Sequence, residues 1–138
     1  MVPLRAARSA PVHTHPDDVH LLTALAALAD PVRFTIVCEL ANSPDWERTC
    51  GSFDVPVRKA ALSHHFSVLR AAGLVEQRDI GAKRVNRLRR AEFAARFPGL
   101  LELVLCPQHR ERQRQLLGRE LGEPAQISPP PALTSPDS

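Results

Sequence analysis

The chain has no tyrosine, one tryptophan and five phenylalanines among its 138 residues. With so few rings, a core must be assembled from Leu, Val and Ala, which favours helices packed on one another over a β-sandwich. No apolar run approaches the ~20 residues that cross a bilayer. The N-terminal stretch "MVPLRAARSAPVHTHP" also lacks the apolar segment of a secretion signal. These absences predict a cytoplasmic protein with no membrane partner. Cysteine is sparse too: Cys38, Cys50 and Cys106 are odd in number and widely separated. That pattern is not a secreted disulfide framework, and it leaves core thiols or reactive ones.

What is present is ordinary in amount but uneven in place. A length of 138 residues with 43% hydrophobic and 24% charged side chains suits one domain with a modest core. The net charge of +3 hides an asymmetry: Val55 to Arg96 carries ten Lys or Arg against three Asp or Glu, a local +7. The preceding 54 residues carry −3 and the segment from Phe97 onward −1. A concentrated basic field is the usual electrostatic footprint of nucleic-acid binding, with a solvated basic face as the plainer alternative.

Residues 1–16, Pro-rich and aperiodic, are expected to form a flexible arm, and 123–138, "PAQISPPPALTSPDS" within it, a disordered Pro/Ser-rich tail. Between them, 17–122 reads as the folded domain. "PDDVHLLTALAALAD" has a helix start and apolar positions Val19, Leu22, Leu25, Ala26 and Leu28. Asp30 caps a second helix with Pro31 at its first position, and Phe34, Val37, Cys38 and Ala41 form its stripe. "NSPDWER" reads as a loop and "TCGSFD" as one or two helical turns. A helix over about Arg58–Ala72 follows, closed by Gly73. The period then changes, and "LVEQRDIGAKRVNRLR" reads as a β-hairpin around Gly81. "AEFAARFPGLLELVL" returns to helix with Phe93, Phe97, Leu100, Leu101 and Val104 as its stripe, broken at Pro98 and Pro107, and a polar helix from about Gln108 to Leu121 follows. Helix, helix, short helix, helix, hairpin, helix is the order of a mainly α winged helix-turn-helix.

The segment "SHHFSVLRAAGLV" sharpens this reading. On a helical wheel Leu62, Phe66, Leu69 and Gly73 share one side, and Ala60, Ser63, His64, Ser67 and Ala71 the other, flanked by Lys59 and Arg70. Small side chains let a helix backbone approach base edges, while Ser, His and Lys supply donors and acceptors for bases and phosphates. Gly81-Ala82-Lys83-Arg84 at the hairpin tip would set cations on phosphates or in a minor groove. The DNA-contact set is therefore Arg58, Lys59, Ala60, Ser63, His64, Ser67, Arg70, Lys83 and Arg84. His65, at the edge of the packing face, reads as structural. The plainer readings are an amphipathic helix with a solvated face and a solvated turn.

Two other classes compete. An enzyme would use Cys50 or Cys106 as nucleophile with His64 or His65 as base. No glycine-rich phosphate loop or nucleophile elbow accompanies them, and adjacent helical histidines point about 100° apart. An interaction module that dimerises through Leu-rich helices would bind DNA weakly and without regard to sequence.

"LADPVRFTIVCEL", "LSHHFSVLRAAGLVEQRDIG" and the hairpin after them resemble the arsenic-repressor-type (ArsR/SmtB) winged-helix regulators, over about Val19 to Leu105. The resemblance implies a homodimeric repressor that binds double-stranded promoter DNA, joined through its first and last core helices and released by an inducer. One departure is plain: "CGSFDVPVRK" stands where the family carries a Glu-Leu-Ala run. The family's metal sites use Cys-x-Cys in the third helix or Asp/His and His/Glu pairs in the last. Here only Cys50, and only His109 beside Glu102 and Glu111, occupy those regions. "HTHPDDVH" offers His13, His15, Asp17 and His20 as divalent-ion donors, although such segments are usually unliganded, and no metal or cofactor is assigned. Cys38 and Cys106 resemble the cysteine pair of sulfide- and redox-responsive members, which implies a thiol switch. A thiophilic metal or metalloid inducer is the alternative.

Overall fold

The computed structural model describes residues 10–120. A single 3₁₀ turn, Pro16–Asp18, precedes α1 (Leu21–Leu28) and α2 (Pro31–Ala41). A second 3₁₀ turn, Cys50–Ser52, leads to α3 (Lys59–Ala71), then β1 (Val75–Ile80), β2 (Lys83–Leu88), α4 (Arg90–Arg96), α5 (Leu100–Val104) and α6 (Pro107–Glu120). The winged helix-turn-helix order expected from the sequence is present.

The boundaries have local causes. Asp30 Oδ1 accepts from the backbone N–H groups of Val32 at 2.8 Å and Arg33 at 3.1 Å, and Pro31 occupies the first turn, where no donor is needed. Gly73, at φ +71°, ends α3. Its N–H donates to Arg70 O at 3.1 Å and the Leu74 N–H to Leu69 O at 3.0 Å, the paired bonds of a Schellman motif. Pro98 and Pro107 divide the last helical region into α4, α5 and α6 as expected.

The hairpin pairs Val75 with Leu88 through to Ile80 with Lys83, closed by Gly81-Ala82 with Gly81 at φ +61°. Strand alternation puts Val75, Gln77, Asp79, Arg84, Asn86 and Leu88 on one face, and Glu76, Arg78, Ile80, Lys83, Val85 and Arg87 on the other.

Phe66, Leu69, Leu74, Val75, Ile36, Val37 and Phe93 are the fully buried centre of the core. α2 packs against α1, α3, β2 and α6. It therefore buries Val32, Ile36, Val37, Cys38 and Leu40, more than the single stripe expected, while Phe34 and Ala41 are half-buried at its edge.

Three expectations need correction. The first helix is shorter than its pattern, and its buried side is Ala24, Ala27 and Leu28 rather than Leu22, Leu25 and Ala26. The helix expected at "TCGSFD" is only the 3₁₀ turn. "NSPDWER" is not simply a loop, because Trp46 N–H donates to Asn86 O, Asn86 N–H donates to Arg48 O, each at 3.0 Å, and Thr49 bridges to Val85. This stretch thus lengthens the hairpin by a third, irregular edge. The tail over 123–138 lies outside the described residues, as does the start of the arm.

Candidate nucleic-acid interface

α3 sits on the core through Phe66 and Leu69, with Leu62 half-buried beside them. The buried Phe53, just after the 3₁₀ turn, packs its ring on Phe66, centroids 5.6 Å apart. The opposite side of α3 is solvated: Arg58, Lys59, Ala60, Ser63, His64, Ser67 and Ala71 are all exposed. The surface the sequence pattern singled out for reading DNA is therefore not covered by any described part of the chain. It runs over about three helical turns, enough for one major-groove face.

His65 lies inward, as expected. Its Nδ1 is 3.1 Å from Arg33 Nη1 and 4.0 Å from Asp30 Oδ1. A guanidinium can only donate, so Nδ1 accepts and the ring proton sits on Nε2. Arg33 also donates to the carbonyls of Ala27 and Ala26, at 2.7 and 3.1 Å. It ties the end of α1 to α3 through His65. Burial pushes the His65 pKa down, with Arg33 and His64 adding to that and Asp30 opposing it.

At the wing, Lys83 is exposed and Arg84 is half-buried. Arg84 donates from Nε to Asp79 Oδ1 at 2.8 Å and from Nη2 to Asp79 Oδ2 at 3.0 Å, its partner directly across the strands. The hairpin's two cations thus differ: one extends into solvent and one is held in a fork by a carboxylate.

Arg70 departs most from expectation. Its Nε donates to Val12 O at 3.1 Å and its Nη1 donates to Gln77 Oε1. The guanidinium is spent inside the molecule, between the N-terminal segment and β1, and burial lowers its pKa. The reason is invisible in a helical wheel: the residues that claim it come from 58 positions earlier and seven later.

Sequence patterns missed two further features. Gln77 and Asn86 are buried polar residues on the inner face of the hairpin, with Gln77 Nε2 donating to Asn86 Oδ1 at 2.8 Å and Asn86 Nδ2 to Arg48 O at 2.9 Å. Cys50 Sγ accepts from Gln77 Nε2 at 3.0 Å in the same cluster, and burial raises its pKa. On the outer face, the Arg78 guanidinium lies 4.0 Å from the centre of the Trp46 ring, and that of Arg87 5.8 Å from it. Polar residues at strand positions carry no periodic signal that would have marked either.

The proposed donor set at the N-terminus does not assemble. His13 Nε2 accepts from Gln77 N–H at 2.9 Å, and His15 Nδ1 accepts from Asp17 N–H at 3.1 Å. Among the described residues no group of three or more His, Cys, Asp or Glu side chains could hold a metal ion. Of the nucleophile and base candidates, Cys50 bonds to the Gln77 and Asn86 side-chain amides and His65 to Arg33, not to each other.

All three thiols are free. Cys38 is buried, with Sγ 3.9 Å from Val104 O at the end of α5. Burial pushes its pKa up to about 11, Arg110 pulling slightly against this. Cys106, two residues beyond Val104, is half-buried.

No protein-family model matches the sequence, and no curated protein does. Among solved structures the chain is similar to an ArsR-like transcriptional regulator from Rhodococcus sp. RHA1. The two share 26% identity over 75% of this chain and 93% of the other, with a TM-score of 0.49. No helix among the described residues is long and apolar enough to cross a membrane.

Proposed function

We propose that this chain is a homodimeric, sequence-specific DNA-binding transcriptional repressor of the ArsR type, acting in the cytoplasm. The observation that carries the reading is the solvated outer face of α3, lined by Ala60, Ser63, His64 and Ser67 with Lys59 and Arg58 at its start. Small residues keep that face shallow, so its donors reach base edges, and the wing's Lys83 and Arg84 supply phosphate contacts alongside. Leu21, Leu22 and Leu25 on α1, and Leu103 and Leu116 on α5 and α6, are exposed at 40% or more. Such leucines on the first and last helices support a dimer joined there. Two-fold symmetry then makes the operator a palindrome with half-sites one or two helical turns apart.

For release from DNA, the reading is a thiol signal through Cys38 and Cys106. It is supported by the contact of Cys38 Sγ with the backbone two residues before Cys106. Because the buried Cys38 stays protonated at neutral pH, a peroxide oxidises Cys106 first, giving its sulfenic acid and one water. Cys38 Sγ then attacks that sulfur, loses its proton, and expels the hydroxyl as a second water to close the bridge.

The test is fluorescence anisotropy on DNA from upstream of the protein's own gene against scrambled DNA, at two salt concentrations. Ser63→Ala and His64→Ala each reduce discrimination by about 1 kcal/mol, at the low end for one base contact. Lys83→Ala weakens both DNAs alike and lowers the salt slope by about 1. Equal affinity of the wild type for both DNAs would leave the interaction-module reading in its place.

A further inference from the structure

We infer that residues Val12–Pro16 form a strap locking α3 to the wing, latched by His13 as a neutral hydrogen-bond acceptor, and that proton uptake at His13 opens the strap and weakens DNA binding. The last clause rests on the function proposed above; the latch itself does not.

The N-terminal arm expected to be loose is fastened from residue 12 onward by four contacts. Val12 O accepts from Arg70 Nε at 3.1 Å, and Thr14 N–H donates to Arg70 O at 3.3 Å. His13 Nε2 accepts from the backbone N–H of Gln77 at 2.9 Å. Pro16, fully buried, lies against Gly73 at the α3–β1 junction. The strap thus touches the C-terminal end of α3, the turn after it and the first strand of the hairpin. Arg70 and Gln77 are joined to each other as well, so the three elements close a ring.

Only one member of this ring changes its hydrogen-bonding character near neutral pH. The Gln77 N–H must donate, so Nε2 must present a lone pair. A protonated imidazole puts a second N–H there, so the bond is lost and two donors face each other. The charged groups around His13 are Glu76 on β1, Arg70 on α3, Arg84 on β2 and Arg89 just after it. Burial lowers the His13 pKa most; Glu76 opposes it, and Arg70, Arg89 and Arg84 add to it, so the ring is held neutral below its ordinary titration range. The latch is closed at neutral pH and opens in mild acid. Opening it frees α3 and the hairpin to shift against each other, and DNA binding requires both to be held at one spacing.

The experiment uses the full chain in two arms, with His13→Gln as the comparison, since a glutamine oxygen still accepts but does not titrate. In the first arm, without DNA, amide hydrogen exchange measures the protection factor of Gln77 N–H between pH 7.5 and 5. Wild-type protection falls with pH by on the order of tenfold, the equilibrium worth of one hydrogen bond, and that of His13→Gln stays level. In the second arm, anisotropy on the upstream DNA reads affinity over the same range. His64 is common to both proteins, so the difference between them isolates His13: wild-type affinity falls relative to the variant. Protection of Gln77 that is independent of pH in the wild type, or equally pH-dependent in His13→Gln, overturns the latch. Opening without a relative loss of affinity supports the latch and overturns its coupling to DNA. Absence of DNA binding at every pH overturns the coupling together with the proposed function, while the first arm still decides the latch.

Discussion

A β-carbon placed on Gly73 would stand 2.9 Å from the Cα of Pro16, closer than real contacts allow, and Gly73 sits at φ +71° besides. The two constraints are independent. A left-handed backbone costs a non-glycine residue about 1 kcal/mol or more, and the Pro16 backbone cannot turn aside as a flexible side chain would. Gly73→Ala is therefore expected to destabilise the fold by roughly 2–3 kcal/mol. Urea denaturation measures it, and a loss below about 0.5 kcal/mol, the range of an ordinary surface change, would contradict the close approach.

The fork between Arg84 and Asp79 makes a paired prediction at the wing. Arg84→Ala is expected to weaken binding to operator and random DNA alike and flatten the salt dependence, since the proposed interface gives it a phosphate contact. Asp79→Ala removes the carboxylate that holds Arg84 and does the opposite, strengthening both and steepening the salt dependence by up to about one ion. Fold stability changes little in either, because an ion pair at the surface that still reaches solvent contributes about 0–1 kcal/mol. If Arg84→Ala altered sequence preference alone, the wing would be reading bases.

His65 predicts how stability responds to pH. Its folded pKa lies below the ordinary imidazole value of 6.5, chiefly through burial. The unfolded chain therefore takes up the proton first. Stability from this residue is complete above pH 6.5 and declines as pH falls toward the folded value. His13, shifted the same way, adds to the decline. Comparing urea midpoints at pH 7.5 and 5.5, wild type against His65→Gln, should show a smaller drop in the variant. An equal drop would remove His65 as a source.

The proposed thiol switch gives an order of reactivity. Iodoacetamide should label Cys106 well before Cys38, which is 5% exposed and has a pKa of about 11. Oxidant or polysulfide should release operator DNA from the wild type but not from Cys38→Ser or Cys106→Ser. Mass spectrometry of the alkylated protein and a gel shift check the two parts. A response unchanged in both serine variants would remove bridging as the mechanism.

Much of the scaffold was legible in the sequence because its signals are local. Asp30-Pro31 starts a helix wherever it stands, Gly73 stops one, and Gly81 between two polar-apolar alternations turns a hairpin. The outer face of α3 was legible for the same reason: 3.6-residue periodicity sorts Ser63, His64 and Ser67 away from Phe66 and Leu69 without knowledge of any other element. What escaped depends on residues far apart in the chain. Arg70 looked like another surface cation until Val12 and Gln77 were seen to occupy it. His13 sits in a segment with no periodicity, and nothing local says that β1 offers it a donor. Likewise Gln77 and Asn86 are polar residues in a buried place, tolerable because they bond to one another and to Arg48, Arg70 and Cys50. Helical periodicity also misassigned the buried side of α1, where Leu22 and Leu25 look outward from this single chain.

The indole of Trp46, lying under Arg78 on the outer side of the hairpin, is the chain's sole tryptophan. Its near-ultraviolet emission therefore comes from one spot, and a guanidinium against the ring makes that light sensitive to whatever draws Arg78 away. A phosphate arriving at this flank of the hairpin would dim or brighten it. The molecule thus carries its own optical gauge of the wing, readable without any added dye.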